Sequence, residues 1–359
     1  MKTNIFVTTT NSNKMKRTSS LLFAAAMVAV ACGNSVKEYP TKRIDRPVAI
    51  IEELSDSSFL HNLQQIAVFD SKIYIAECHN QRARILRLDS LFNVDLSFGN
   101  KGRGPGEFLW LSHLAVEDDT IYALDVSSPK MNLYNLNGKF IKTITFPKEE
   151  AYMSGRFLID GHKQFCYNYD GINPPFRLWN PYNNSEPMQK FGENIPKCKA
   201  LNIDDERYTL AKKDNNSFFA VGRISPMAIE LDYSGRLLNY IDFSDSHYFE
   251  PFLIKAKECT KPEDGHQVFF DDACVANDKL YLLTVLYDED KDTIDNVLFV
   301  VNIKNGKMEM ENFIVLGAAK SIWFSKFTVC GNKIIAFDGI SDGLYIYDMN
   351  QVVDIQNND

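Results

Sequence analysis

The chain has 359 residues, of which 45% are apolar, 12% aromatic and 24% charged, a composition that suits two ordinary domains or one large all-β domain. Its formal net charge is −8, and no basic residues cluster along it. Such a surface repels phosphate backbones, which argues against nucleic acid as a partner. Helical periodicity is scarce, which favours the single all-β domain.

The first 31 residues are predicted to be a signal peptide. Lys16 and Arg17 precede an apolar run of eleven residues, Leu21–Ala31. The run is too short to span a bilayer and has the layout of a secretory signal. Met15 stands directly before the two basic residues, whereas the residues ahead of it are polar. Met15 is therefore an alternative start of translation.

Cys32 is the predicted site of lipid attachment. The small residues of 29–31 precede it, as in a bacterial lipobox, whose cysteine is acylated after cleavage. Simple cleavage without acylation is the alternative. Removal of residues 1–31 takes away four basic residues and no acid, so the mature chain would carry a formal charge of −12. Residues 32–45 are polar and aperiodic, which predicts a flexible tether ahead of a folded domain at 46–359.

Two segments forty-eight residues apart share one pattern: "DSKIYIAE" begins at Asp70 and "DDTIYALD" at Asp118. Self-similarity at this period indicates a propeller or a solenoid. A polar turn followed by an apolar pair recurs along the chain and predicts six units. The apolar pairs are Ile73-Tyr74, Ile121-Tyr122, Phe165-Cys166, Phe218-Phe219, Leu280-Tyr281 and Ile334-Ile335.

Each unit is predicted to hold four antiparallel strands, because hairpin turns with Asn-Gly or Ser-Gly follow the first hairpin, as in "LNGKF" at Leu136 and "YSGRL" at Tyr233. The sixth unit lacks a fourth strand, whereas "PVAIIEEL" from Pro47 has no blade. We therefore expect this N-terminal strand to close the last blade, with "VVDI" at Val352 as the alternative. Blade boundaries between about residues 150 and 275 stay open.

These elements, together with the segment "FGNKGRGPGEF" at Phe98, resemble the six-bladed β-propeller lipoproteins, TolB-like and NHL-like, of Bacteroidetes. The resemblance extends over roughly residues 46–350. It implies an all-β fold of six four-stranded blades. It also implies an exported outer-membrane lipoprotein that faces the periplasm or the cell surface.

The glycine-rich loop invites comparison with a phosphate cradle, since its glycines could turn backbone amides inward beside an arginine. No helix follows it, and the order of a P-loop is absent. We expect it to be a structural crossing between two blades, in which glycines adopt unusual φ and proline fixes the path. The residues are Gly102, Arg103, Gly104, Pro105, Gly106 and Glu107.

Glu77, Asp125 and Asp338 each end the second strand of a unit. A ring of carboxylates could bind a cation. The resemblance to repeat propellers instead implies that each acid holds a loop through backbone N–H groups, and this structural interpretation is favoured.

The innermost strand of each blade lines the axial channel of a propeller. Counting back from the turns places Gln65, His113, Asp272 and Lys326 at matching positions on innermost strands. These four residues are the candidate channel pocket, because propellers commonly bind small molecules there. Solvated channel walls are expected to be polar as well, so a purely structural role is the alternative.

No metal site, cofactor or catalytic residue is predicted. The six histidines include no H-x-H or H-E-x-x-H spacing, and no serine stands in G-x-S-x-G. The acidic run 288–295 lacks the glycine and the closing glutamate of a calcium loop. Cys198 and Cys259 are the most favourable disulfide pair, because they lie in polar segments of an exported chain.

The hypothesis is a non-enzymatic, membrane-anchored propeller that binds or scaffolds a glycan, peptide or protein partner. The alternative is a metal-dependent propeller hydrolase or lyase, resembling a lactonase, with its site at the channel mouth. That alternative requires three or four converging ligands, of which only His113 and Asp272 are plausible.

Overall fold

The computed structural model of the chain describes residues 39–147, 156–169, 172–183, 186–201, 203, 206–258, 267–288, 293–304, 306–318 and 322–355. The predicted signal peptide, Met15, Cys32 and Cys259 lie outside these residues. In the described part of the chain, no helix combines the length and the apolar character that crossing a membrane requires.

The described chain consists almost entirely of β-strands, which form six separate sheets of at least four strands. Two short strands come first: β1 (Thr41–Ile44) and β2 (Ala49–Ile51). Blade one comprises β3 (Leu63–Phe69), β4 (Lys72–Cys78), β5 (Ala83–Leu88) and β6 (Val94–Phe98). A crossing follows, in which β7 (Asn100–Lys101) pairs with β8 (Glu107–Phe108). Blade two comprises β9 (Leu111–Glu117), β10 (Thr120–Asp125), β11 (Lys130–Asn135) and β12 (Phe140–Thr145).

Blades three and four fall in the region whose boundaries the sequence left open. Blade three has short strands: β13 (Phe157–Ile159), β14 (Phe165–Asn168), β15 (Phe176–Trp179) and β16 (Gln189–Phe191). Blade four comprises β17 (Tyr208–Lys212), β18 (Ser217–Gly222), β19 (Met227–Asp232) and β20 (Leu237–Asp242). A 3-10 turn (His247–Phe249) and the helix α1 (Glu250–Glu258) then lead towards blade five.

Blade five comprises β21 (Asp272–Ala276), β22 (Lys279–Asp288), β23 (Thr293–Lys304) and β24 (Lys307–Leu316). Blade six comprises β25 (Phe324–Cys330), β26 (Lys333–Asp338) and β27 (Leu344–Asp348). A 3-10 turn (Met349–Gln351) and β28 (Val353–Asp354) end the described chain. This arrangement is the predicted six-bladed propeller of four-stranded antiparallel blades.

The ring closes as expected, because β2 pairs antiparallel with β27 as the outermost strand of blade six. The competing segment does not close that blade: β28 pairs with β1 on the outer edge of blade five. Strand β1 itself lies parallel to β24. Residues 41–44 are therefore a paired strand and not part of the predicted tether, because Ile44 is fully buried against the sheet.

The hydrophobic core lies between neighbouring blades. One cluster joins the buried side chains of blade one, such as Tyr74 and Ile85, to those of blade two, such as Leu114 and Ile121. Equivalent clusters join blades three and four and blades six and one. Burial between adjacent sheets stabilises the ring and places the six innermost strands around a common axis.

Candidate functional site in the axial channel

The innermost strands enclose a cavity of about 200 Å³ on the propeller axis. All six of them, β3, β9, β13, β17, β21 and β25, contribute to its wall. The sequence predicted a polar pocket here from Gln65, His113, Asp272 and Lys326. Each of the four residues lies on a different innermost strand.

Three of the predicted residues share one backbone feature. In blades one, two and six a β-bulge interrupts pairing at the start of the innermost strand. Directly after it, Gln65 pairs with Ala76, His113 with Leu124 and Lys326 with Phe337. A bulge redirects side chains and often occurs beside functional sites. The shared bulge explains why these three side chains have equivalent positions around the channel.

The structure brings His113, Asp272 and Lys326 together, with Arg156 among them. The positive charges of Arg156 and Lys326 act on the His113 ring, and the carboxylate of Asp272 acts on Lys326. Of the four predicted residues, Gln65 lines the cavity and is only 8% exposed, whereas His113, Asp272 and Lys326 are not among its lining residues. Arg156 lines it as well. The Oε1 of Gln65 has no hydrogen-bond partner in the described part of the chain.

The carboxylate of Asp272 is held in place by hydrogen bonds to both of its oxygens. Its Oδ1 accepts from a guanidinium N–H of Arg156 and from the backbone N–H of Ala273 at 3.0 Å. Its Oδ2 accepts from the backbone N–H of Phe327 at 2.9 Å. Because Arg156 precedes blade three and Phe327 belongs to blade six, one buried carboxylate of blade five joins three blades.

Sequence reasoning missed Arg156, Arg223 and Asp271. Arg156 directly precedes β13, in the unit without a recognisable turn. Arg223 follows the end of β18, and Asp271 precedes Asp272. Both act electrostatically on Lys326. The adjacent acids of Asp271-Asp272 were a visible signal, but the arginines had no counterpart in the repeat pattern.

Two cations of this group are unpaired. Within the described residues, neither the ammonium group of Lys326 nor the guanidinium of Arg223 makes a hydrogen bond or ion pair, and the Nε of Arg223 is buried without a partner. Burial lowers the pKa of Lys326, and the carboxylates of Asp272 and Asp271 partly oppose this effect. The side-chain N–H groups of Lys326 and Arg223 therefore lack acceptors within the described residues.

His113 and Asp271 titrate abnormally in this environment. Burial, reinforced by the positive charges of Arg156 and Lys326, lowers the pKa of His113 to about 3, so the ring is neutral at neutral pH. Its Nδ1 has no hydrogen-bond partner in the described chain. Burial raises the pKa of Asp271 to about 6, although Arg223 and Lys326 oppose the rise.

We call Gln65, His113, Arg156, Arg223, Asp271, Asp272 and Lys326 the axial cluster. It holds three cations and two carboxylates, an excess of one positive charge inside an acidic protein. Both oxygens of Asp272 are occupied, and cations flank His113. Among the described residues, no three His, Cys, Asp or Glu side chains are grouped as metal ligands. The arrangement suits an anion better than a divalent cation.

The acids at the ends of second strands hold loops, as the resemblance implied. Glu77 accepts from the backbone N–H of His61 at 2.9 Å, and Asp125 accepts from those of Leu109 and Trp110 at 2.7 and 2.9 Å. Asp338 accepts from the backbone N–H of Trp323 at 3.3 Å and from that of Ile340 at 3.0 Å. Each acid therefore holds the segment that leads into the innermost strand of its own blade.

The glycine-rich loop lies between blades one and two and is held by hydrogen bonds within the loop and from blade two. The backbone N–H of Gly104 donates to the Glu107 carboxylate at 2.7 Å, and the Tyr134 hydroxyl donates to the Gly106 carbonyl at 2.6 Å. Gly106 has φ +73°, and a Cβ there would lie 3.0 Å from the Phe140 ring. Local hydrogen bonding and packing thus explain the presence of glycine at positions 104 and 106.

Comparisons with known proteins agree with this architecture. Residues 48–223, just under half of the chain, match the family model described as a 6-bladed beta-propeller. The chain is a six-bladed β-propeller. Among curated proteins, none matches this sequence significantly.

Two solved structures with similar folds come from Bacteroides. A member of the DUF4221 family from Bacteroides vulgatus has a TM-score of 0.54 at 9% identity, over 86% of this chain and 96% of that one. A protein described as exported, from Bacteroides fragilis, has a TM-score of 0.51 at 13% identity, over 82% and 87%. At these identities the likeness shows the fold alone.

Proposed function

We propose that this chain is an exported, lipid-anchored propeller that binds an anionic group of its partner at the axial cluster. The carrying observation is that the side chains of Lys326, on the innermost strand β25, and of Arg223, which acts electrostatically on it, make no hydrogen bond or ion pair in the described residues. A partly buried cation favours a nearby counter-charge, because an isolated charge is costly to desolvate. A bound carboxylate, phosphate or sulfate would accept hydrogen bonds from both cations and balance their charge.

The anionic group would belong to a glycan, peptide or protein of the cell envelope. The sequence of residues 16–32 supports export and acylation at Cys32. The resemblance to TolB-like and NHL-like lipoproteins supports an outer-membrane location facing the periplasm or the surface. Binding without chemistry is proposed because Asp272 is fully engaged as a clamp and His113 lies beside two cations.

Trp323 adds a recognition surface three residues before Lys326. Its side chain is 43% exposed, although its backbone N–H is held by Asp338 at 3.3 Å. Exposed aromatic rings are favourable contacts for ligands that combine an apolar face with polar groups. A sugar acid has both features, and we propose that its ring contacts Trp323 while its carboxylate binds the cations.

The test compares galacturonate with galactose by isothermal titration calorimetry. The two sugars differ in the carboxylate, so we expect measurable binding of galacturonate only. Lys326→Met should reduce that affinity at least tenfold. Lys333→Met is the matched control on the next strand, because Lys333 lies at the surface and pairs with Asp348. Equal binding of both sugars, or undiminished binding by Lys326→Met, would refute the proposal.

A further inference from the structure

A second cavity, of about 320 Å³, lies between blades three and four, outside the channel. Its volume falls at the lower end of the range of small-molecule sites, roughly 300–1,000 Å³. We call it the side pocket. No residue of the predicted channel pocket belongs to it, although Cys198, noted in the sequence as a disulfide candidate, does.

The walls of the side pocket are mainly apolar and come from both blades. Blade three contributes the segments on either side of its outer hairpin, and blade four contributes the face of β19. The apolar lining residues include Ile172, Pro175, Ile195, Pro196, Met227 and Ile229. Met227 and Ile229 are 2% and 1% exposed, so this part of the wall is rigid core.

Glu206 provides a carboxylate on this apolar wall. Its Oε1 accepts from the backbone N–H groups of Arg207 at 3.0 Å and Ile224 at 3.1 Å, and the Ser225 hydroxyl also donates to it. These bonds fix the side chain at the start of β17. Burial nevertheless raises the pKa of Glu206 to about 7, so the donors do not compensate the loss of hydration.

The position of Glu206 departs from the pattern of the other blades. Glu77, Asp125 and Asp338 pair with the first residue of their innermost strands, and Gly222 is the corresponding residue of blade four. A Cβ on Gly222 would lie 2.6 Å from the Ser225 Oγ, so no larger side chain fits there. The carboxylate comes instead from Glu206, two residues before β17, and Glu206 lines the cavity.

The charges around the pocket favour a cation near Glu206. Glu193 also lines the cavity, and its carboxylate makes no hydrogen bond or ion pair in the described chain. Lys197 is the cation of the lining, whereas Tyr208 and Cys198 are neutral because burial raises the pKa of both groups. The two carboxylates therefore outnumber the one ammonium group.

We infer that the side pocket binds a small molecule with an apolar body and a protonated amino group, which lies against Glu206. The apolar body would occupy the space between the two blades, where burial of nonpolar surface is favourable. The ammonium group would supply the counter-charge that the buried carboxylate lacks. This inference concerns a site separate from the axial cluster and does not depend on the anionic ligand proposed there.

The test uses three probes with one phenyl body: phenethylamine, 2-phenylethanol and phenylacetate. Calorimetric titration should give the tightest binding for the amine, weaker binding for the alcohol and the weakest for the acid, with at least a tenfold difference between amine and acid. The affinity for the amine should rise with pH between about 5 and about 8, as Glu206 ionises. The affinity for the alcohol should not change.

Glu206→Gln keeps an acceptor for the two backbone N–H groups but removes the charge. It should lower the affinity for phenethylamine to that for 2-phenylethanol and abolish its pH dependence. Glu186→Gln, on the exposed surface of blade three, is the matched control and should bind as the wild type does. If Glu206→Gln fails to fold, the pH profile of the wild type decides. Phenylacetate binding as tightly as phenethylamine, or no binding of any probe, would overturn the inference.

Discussion

Arg156 donates hydrogen bonds to the carboxylate of Asp272 and, at 2.5 Å, to the carbonyl of Ala273. The two side chains are 11% and 2% exposed. Arg156 precedes blade three and Asp272 belongs to blade five, so the pair joins two blades that are not neighbours. The contact therefore braces the ring from inside the channel.

Removal of the Arg156 charge should destabilise the propeller strongly. Arg156→Met leaves the Asp272 carboxylate buried and unpaired, which typically costs about 3–5 kcal/mol. Urea unfolding followed by tryptophan fluorescence measures the change. In the double variant Arg156→Met/Asp272→Asn, the amide can still accept from Phe327, so part of the loss should be recovered.

Arg43→Met, which breaks an exposed pair with Asp45, should change the free energy of unfolding by less than about 1 kcal/mol. A loss from Arg156→Met no larger than this control would show that the pair does not brace the ring.

Anion binding at the axial cluster should strengthen as the pH falls. The pKa of Asp271 is about 6, so protonation below that pH removes a negative charge beside Arg223 and Lys326. Over the same range His113 stays neutral. The affinity for galacturonate, measured by calorimetry, should therefore be higher near pH 5 than near pH 8.

Asp271→Asn provides the control for this pH effect. The variant lacks the titrating carboxylate, so it should bind galacturonate tightly across the range with a flatter pH profile. A wild-type affinity that increases towards pH 8 would contradict the assigned role of Asp271.

Glu206 should make the folded state less stable as the pH rises. Its pKa is about 7 in the folded protein and near 4.5 in the unfolded chain. The folded state therefore binds the proton more tightly, and this stabilisation is lost as the pH rises from about 4.5 to about 7. The loss is on the order of 3 kcal/mol. Thermal unfolding should show that the stability of Glu206→Gln lacks this pH-dependent loss. Near pH 8 the variant should therefore be more stable than the wild type. Identical pH profiles for the two proteins would refute the shifted pKa.

Ring closure by β2 can be tested by truncation. A chain that begins at Ser55 lacks β2 and exposes the edge of β27, whereas a chain that begins at Thr41 keeps both N-terminal strands. An unpaired strand edge favours aggregation and loss of cooperativity. Scanning calorimetry should show a lower Tm and a broader transition for the shorter chain only. Equal transitions would contradict closure through β2.

The fold was accessible from the sequence because its repeats alternate recognisable turns and apolar pairs. The same register located Gln65, His113 and Lys326, since the bulges of blades one, two and six are equivalent. The repeat pattern did not predict Arg156, because blade three has short strands. It did not predict Arg223, because blade four ends β18 with Gly222 instead of an acid. Glu206 could not be predicted, because its role depends on packing between Gly222 and Ser225, which no periodic pattern records.

The central claim is that an anion binds to Lys326 and Arg223 in the axial channel. Anomalous diffraction from crystals soaked in selenate tests it directly, because the selenium position is observed without a model of the ligand. We expect a peak inside the channel, within hydrogen-bonding distance of the Lys326 Nζ and the Arg223 guanidinium, that Lys326→Met abolishes. Selenate bound only on the outer surface, with the channel empty, would contradict the account.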